Sequence, residues 1–190
     1  MKKLATLLLC LLPFTAFGGT VNVTMETSLG TIKLELYPDK APDTVANFVE
    51  YAKAGHYDGL VFHRVIRGFM IQGGGYDEQM RERKTRGSIK NEAQGGLSNA
   101  RGTIAMARRP DPNSATSQFF INHADNSNLD AAHSPDGWGY CVFGKVTEGL
   151  DVVDKIATTP TGSLPPFGRD VPLKAVVIKT VTVADSPKAK

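Results

Sequence analysis

The sequence predicts a mainly β domain: short strands closed into a barrel or packed as a sandwich, with two helices. Three observations carry that expectation. Apolar and polar residues alternate over short runs, only two segments change to a helical period, and glycine and proline, 19 and 11 residues of 190, interrupt the chain often. Repeating βαβ units would instead place a helix after most strands. Charged residues make up 22% and hydrophobic residues 41%, the balance of an ordinary globular domain with enough length for a substantial core.

The first residues are set apart from the fold. Lys2 and Lys3, a nine-residue apolar run over 4–12, and the small residues Ala16 and Gly18 read in order as a secretory signal peptide over 1–18. That run is too short for a stable membrane anchor. Cys10 follows Leu9 rather than a small residue, which argues against lipid attachment. Losing Lys2 and Lys3 takes the formal charge from +3 to +1, and Cys141 remains as the single thiol. The domain expected over 19–185 must therefore hold together without an internal disulfide. Residues 186–190 read as a flexible tail.

From residue 21 the elements follow in turn. Val21, Val23 and Met25 alternate with polar residues, as do Ile32, Leu34 and Leu36; with Ser28-Leu29-Gly30 between them they read as a hairpin that Pro38 ends. Over 41–54, Val45, Phe48, Val49 and Ala52 take helical spacing, with Pro42 and Asp43 in the first turn and Gly55 as the cap. Short strands are expected over 60–62 and 69–72, followed by a glycine turn or bulge at 73–75. The polar stretch 77–96 reads as loop. Strands over 102–108, 117–122 and 140–146 follow, then a helix over 148–157 carrying Leu150, Val153, Ile156 and Ala157. Val176, Ile178, Val181 and Val183 close the chain as strand. No repeat, linker or second core is evident.

Three stretches bring chemically useful residues together. The first runs Phe62-His63-Arg64, then Gly68-Phe69-Met70, then Gln72-Gly73-Gly74-Gly75. The second pairs Gly102-Thr103-Ile104-Ala105-Met106-Ala107 with Ser117-Gln118-Phe119-Phe120-Ile121-Asn122. The third is Gly139-Tyr140-Cys141-Val142-Phe143-Gly144-Lys145-Val146. In this order they resemble the cyclophilin family of peptidyl-prolyl cis-trans isomerases, across about residues 21–183. The resemblance implies an eight-stranded antiparallel β-barrel capped by two α-helices, acting as an enzyme on X-Pro bonds with no metal and no cofactor.

Such bonds turn slowly because resonance gives the C–N bond double-bond character, with a barrier of about 18–20 kcal/mol. At the twisted geometry the prolyl nitrogen regains a lone pair, and a donor aimed there favours the twisted form over either planar form. By resemblance Arg64 is that donor, always protonated and with several N–H groups in one plane. Gln72 would hold Arg64 and the substrate backbone. Phe69, Met70, Phe120 and Leu129 would form the proline pocket, with Tyr140 as an aromatic wall. Ala107 would present backbone groups, Gln118 lie beside the groove, and His63 sit at its edge near substrate carbonyls.

Two positions depart from the family pattern. Many members carry a tryptophan where this chain has Asn128, just before Leu129, and often a histidine where it has Tyr140. By resemblance that tryptophan helps bind cyclosporin, so weak cyclosporin affinity is expected; Trp138 is not at the matching position. The chain is most similar to periplasmic bacterial cyclophilins. With the signal peptide, that implies export to the periplasm, with proline-containing peptides and unfolded or newly exported proteins as partners; nothing in the sequence indicates an oligomer, and a monomer is the default.

Each residue also has a plainer reading. Phe69 and Phe120 could be core, where Phe143 is placed, and Arg64 alone could be half of an ion pair. Cys141 in its apolar strand reads as an inert buried thiol. His56, His123 and His133 lack metal-ligand spacing, and 73–75 lacks the GxxxxGK[ST] pattern of a phosphate loop. Asp77, Glu78 and Glu82 dilute the basic run Arg81, Arg83, Lys84 and Arg86, which argues against nucleic acid. A chaperone or adhesion module could use the same groove without Arg64. A serine hydrolase using Ser114 or Ser117 with His123 lacks both a G-x-S-x-G elbow and an acid partner.

Overall fold

The alternation that starts at Val21 pairs as a hairpin. β1 (Val21–Thr27) and β2 (Gly30–Leu36) run antiparallel with Val23 opposite Leu34 and Met25 opposite Ile32, so one face of both strands is buried. The structure, a computed structural model, describes residues 19–184; the expected signal peptide over 1–18 and tail over 186–190 lie outside the described residues. β3 (Arg64–Ile66), β4 (Met70–Gly73), β5 (Thr103–Met106), β6 (Phe119–Asn122), β7 (Val142–Glu148) and β10 (Ile178–Val183) complete an antiparallel sheet of eight strands in the order β10-β1-β2-β7-β5-β6-β4-β3.

That sheet curls until its ends meet. The Ile178 N–H donates to the Leu60 carbonyl at 2.7 Å, and the Phe62 N–H to the Val176 carbonyl at 3.0 Å, around a bridge between Val61 and Val177. The strand expected over 60–62 is present only as isolated bridges, Val61 with Val177 at this joint and Leu60 with Asp77. The expected barrel is thus a strongly curled sheet whose edges are joined by a few bonds.

Helix α1 (Pro42–Lys53) opens with Pro42 in its first turn, and its N-cap, Ala41, has no side chain able to bond the exposed N–H groups. Glu92 supplies that function from a distant loop: its carboxylate accepts the Asp43 N–H at 3.2 Å, the Thr44 N–H at 2.8 Å and the Thr44 hydroxyl at 2.6 Å. Gly55, at φ +65°, follows the helix and returns its N–H to the Ala52 carbonyl. Helix α2 (Leu150–Ala157) starts two residues later than the 148–157 expected, because Glu148 is still paired with Lys33 in the β2–β7 ladder.

Inside the curl, Phe48 of α1 meets Tyr57, Phe119 and Phe143 at ring-centroid distances of 5.0, 5.7 and 5.4 Å. Cys141 is buried beside this core, and burial pushes its thiol up to about 11, so it stays protonated and inert. One element escaped the sequence. β8 (Thr161–Leu164) and β9 (Phe167–Pro172) form a separate two-stranded sheet, and β9 packs against β3. In the 77–96 loop the basic residues are locally engaged: Arg81 pairs with Asp77, Arg86 with Glu50, and Arg83 donates to the His56 and Asp58 carbonyls.

Candidate active site

Strands β3 to β7 present two apolar faces. Val65, Ile71, Ile104, Met106, Phe119 and Ile121 enter the main core, while alternate residues point outward. There Met70, Ala105, Phe120 and Val142 make a second, smaller cluster, bordered by Ile66, Phe69, Leu97, Ala107, Leu129 and Tyr140. Strand register draws a row across this outer face: Arg64 lies opposite Gln72, Gln72 opposite Phe120, Phe120 opposite Ala105, and Ala105 opposite Val142. A cavity of about 120 Å³ opens over the row, lined by Arg64, Phe69, Met70, Gln72, Ala107, Arg108, Phe120, Leu129 and Tyr140. Through Gln72, Ala107 and Arg108 it adjoins a polar depression of about 380 Å³ that Glu82, Arg109 and Gln118 also line.

Of the residues singled out from sequence, all but Gln118 and His63 therefore line one cavity. Gln118 stands beside it, where its side-chain carbonyl accepts the Gln72 amide N–H at 3.0 Å. The Gln72 side chain is thus turned toward Gln118 and makes no hydrogen bond with the Arg64 side chain. Gly75 makes room for the arrangement, since a Cβ there would come within 2.6 Å of the Gln118 side chain. Ala107 has its N–H committed to the Gln118 carbonyl at 3.0 Å, so the backbone group it can offer a ligand is its carbonyl oxygen.

His63 is not at the groove edge. It is 1% exposed, packed against Tyr76 and Phe167 at centroid distances of 4.7 and 5.2 Å, and its Nδ1 has no partner. Burial pushes its pKa down to about 4, with the neighbouring Arg64 charge adding to the effect. The placement follows from the chain itself. His63 and Arg64 are adjacent in extended backbone, so they face opposite sides, and β9 brings Phe167 onto the His63 side.

The apolar wall is held by buried amides that the sequence reading missed. The Phe69 carbonyl, just after the turn at Gly68, accepts the His123 N–H and the Asn126 side-chain amide, each at 2.9 Å. The Leu129 carbonyl accepts the Tyr140 N–H at 2.9 Å. Asn99, fully buried, donates to Asp130 at 3.0 Å and to the Tyr140 carbonyl at 3.2 Å, and Asn122 and Asn126 are bonded to each other beside it. Three separate segments are fastened by this network. In a bare sequence Asn99 and Asn126 look like any others in polar loops, and Asn122 like the end of an apolar strand.

Two guanidinium groups reach the cavity, and their bonding differs. Arg108 gives its Nε–H to the Gly139 carbonyl at 2.9 Å, bonds the Arg109 carbonyl at 3.2 Å and pairs with Asp136. The Arg64 side chain makes no hydrogen bond or ion pair among the described residues, so its guanidinium donors line the cavity uncommitted. Of the two guanidinium groups in this pocket, that of Arg64 is the one available to an incoming ligand. Among the described residues no cluster of His, Cys, Asp and Glu could hold a metal ion, and no helix is long and apolar enough to cross a membrane.

The chain is similar to known proteins over most of its length. The family model described as cyclophilin type peptidyl-prolyl cis-trans isomerase/CLD matches residues 22–183. Peptidyl-prolyl cis-trans isomerase B of Escherichia coli is 51% identical, covering 86% of this chain and 99% of its own. A peptidyl-prolyl cis-trans isomerase of Acinetobacter baylyi is 48% identical over the full length of both chains. A crystal structure of a cyclophilin-type isomerase from Cryptosporidium parvum, in the presence of the dipeptide Ala-Pro, superposes with a TM-score of 0.69 at 26% identity, covering 87% of this chain and 99% of that one.

Proposed function

The chain belongs to the cyclophilin-type peptidyl-prolyl cis-trans isomerase family and is an isomerase of that class, and from that premise we propose that Arg64 supplies the rate acceleration. A proline ring enters the apolar cavity against Phe69, Met70, Phe120 and Leu129, which fixes the pyrrolidine while the preceding carbonyl swings. As the C–N bond twists, the prolyl nitrogen turns pyramidal and gains a lone pair. The Arg64 guanidinium donates to it. Because that lone pair is absent from both planar forms, the bond strengthens only at the top of the barrier, which is the requirement for catalysis. The apolar surround keeps water from competing for the donor. Nothing is transferred, so no base, nucleophile or metal enters the step.

The observation that carries this reading is the contrast in bonding between the two arginines: the Arg108 side chain is consumed by the fold, whereas the Arg64 guanidinium has no partner among the described residues. The polar 380 Å³ depression next door would receive the chain flanking the proline, with Gln72, Gln118 and the Ala107 carbonyl as backbone partners. The substrate class is an extended, proline-containing peptide segment. The deciding experiment follows isomerisation of a short X-Pro peptide by wild type, Arg64→Ala and Phe120→Ala. Arg64→Ala should lose turnover while still binding peptide, and Phe120→Ala should lose binding. Unchanged kcat/KM for Arg64→Ala rejects the assignment.

The order Lys2-Lys3, apolar run, Ala16 and Gly18 supports a further part of the proposal, that the chain is exported to a bacterial periplasm. Unfolded or newly exported proteins with slow X-Pro bonds would then be its clients. Mass spectrometry of the protein purified from cells tests this: a chain beginning at Gly19 supports export, and retention of Met1 or Lys2 contradicts it.

A further inference from the structure

Arg108 lies in the wall shared by the 120 Å³ cavity and the adjoining depression, yet its side chain is only 4% exposed. Its guanidinium carbon sits 4.5 Å above the centre of the Tyr140 ring. Tyr140 also meets Phe120 at a ring-centroid distance of 5.7 Å with the planes near perpendicular. The tyrosine thus contacts both a cation and a pocket phenylalanine, a clamp of two partners on one ring. The anchor of the clamp is equally built. Asp136, which pairs with Arg108, also accepts the Ser134 hydroxyl at 2.7 Å, the Trp138 N–H at 2.9 Å and the Gly139 N–H at 3.2 Å. At Gly139 (φ +65°) a Cβ would approach the Ala131 nitrogen to 2.4 Å, so the loop closes on itself only with glycine there. An arginine used merely for solubility would be neither buried nor bonded on so many sides.

We propose that Arg108 is a positioning residue for the proline pocket, fixing Tyr140 as its aromatic wall and the 129–140 loop as its rim, so that affinity for the substrate depends on a side chain that need not touch it. The inference rests on the reading that this cavity receives the proline ring. It assigns Arg108 a task distinct from that of Arg64, one guanidinium holding the wall and the other meeting the twisted amide. Lysine could keep the charge beside Asp136 but could not lie flat on the ring.

The test compares KM, kcat and peptide Kd (by NMR titration with an X-Pro peptide) for Arg108→Met, Arg108→Lys and Asp136→Asn, alone and with Tyr140→Leu. Arg108→Met should raise KM and Kd about five- to tenfold, while kcat falls less than about twofold. Arg108→Lys should recover only part of that loss, and Asp136→Asn should shift KM the same way by less. In the Tyr140→Leu background Arg108→Met should have little further effect, since the ring it positions is gone. An unchanged KM, an equal loss in kcat and kcat/KM, or an undiminished effect in the Tyr140→Leu background overturns the proposal. If Arg108→Met does not fold, the lysine and Asp136→Asn variants carry the same comparison. Because the readout is affinity, it stands apart from the Arg64 question: loss of the Arg64 assignment would appear in turnover and leave these Kd shifts in place.

Discussion

Arg64 and Arg108 deliver the same functional group to the same cavity, and the difference between them lies in what each has already bonded. A guanidinium whose N–H groups are satisfied by carbonyls and a carboxylate gains little by turning toward a substrate, whereas one without partners gains a full hydrogen bond. Removing a single donor aimed at developing electron density usually costs a factor of about 100 to 1,000 in turnover. Arg64→Ala should therefore lower kcat/KM by roughly that factor in a peptide isomerisation assay. Its peptide Kd should move less than about threefold, since the proline pocket is intact. Arg64→Lys should recover a minor part, having the charge without the planar fork. Asn128 gives a second prediction at this scale. It is exposed in the short turn Ser127–Leu129, and the single tryptophan of the chain, Trp138, is 43% exposed and does not line the cavity. Cyclosporin should bind weakly, and Asn128→Trp should tighten it by at least about tenfold in a competition assay, a large ring being worth that much when buried. Tight inhibition of the unaltered protein would contradict the reading of this position.

At the scale of elements, what the sequence disclosed depended on whether an element reports its surroundings locally. The β1–β2 hairpin buries one face along its whole length, so its alternation was readable to within a residue. Helix α1 declared itself through Val45, Phe48, Val49 and Ala52 and through Gly55, all within one stretch of chain. Its cap did not, because Glu92 comes from 48 residues away and looks, in sequence, like one more charge in a polar loop. The β8–β9 hairpin was invisible for the opposite reason. Thr161–Leu164 buries no residue, so there is no hydrophobic period to see. The Glu92 cap is the element-scale prediction. Two backbone N–H groups and a buried threonine hydroxyl lose their acceptor in Glu92→Ala, which should cost about 1–2 kcal/mol in urea unfolding. Glu92→Gln, keeping an oxygen but not the charge at the helix N-terminus, should cost less. Equal stability of all three proteins would show that water caps the helix just as well.

For the molecule as a whole, the site exists because one curled sheet is apolar on both sides. Runs such as Phe119-Phe120-Ile121 are buried throughout, so alternation could not reveal that Phe120 faces the pocket while its neighbours face the core. Register supplied what period could not, by drawing Arg64, Gln72 and Phe120 into one row. The same two-sidedness explains His63, which the family resemblance placed at the groove edge and the fold places underneath it, covered by Phe167. That burial links the site to the stability of the whole chain. Folded His63 has its pKa pushed down to about 4, below its ordinary 6.5, chiefly because a charge there would lose its hydration. Between those two values the unfolded chain holds a proton that the folded chain does not, so stability is complete above about 6.5 and declines as pH falls toward about 4. Below that both states are protonated and the loss stops growing. The full difference amounts to about 3 kcal/mol at most. Urea unfolding of wild type and His63→Asn over a pH series from about 7.5 to about 3.5 isolates this contribution, because the carboxylates titrate in both proteins alike. The wild-type free energy should fall below the variant's trend across the upper acidic range, with the gap widening until about pH 4 and then holding. Parallel curves would mean that His63 takes up its proton in the folded state without penalty, and that the lid formed by Phe167 is not closed in solution.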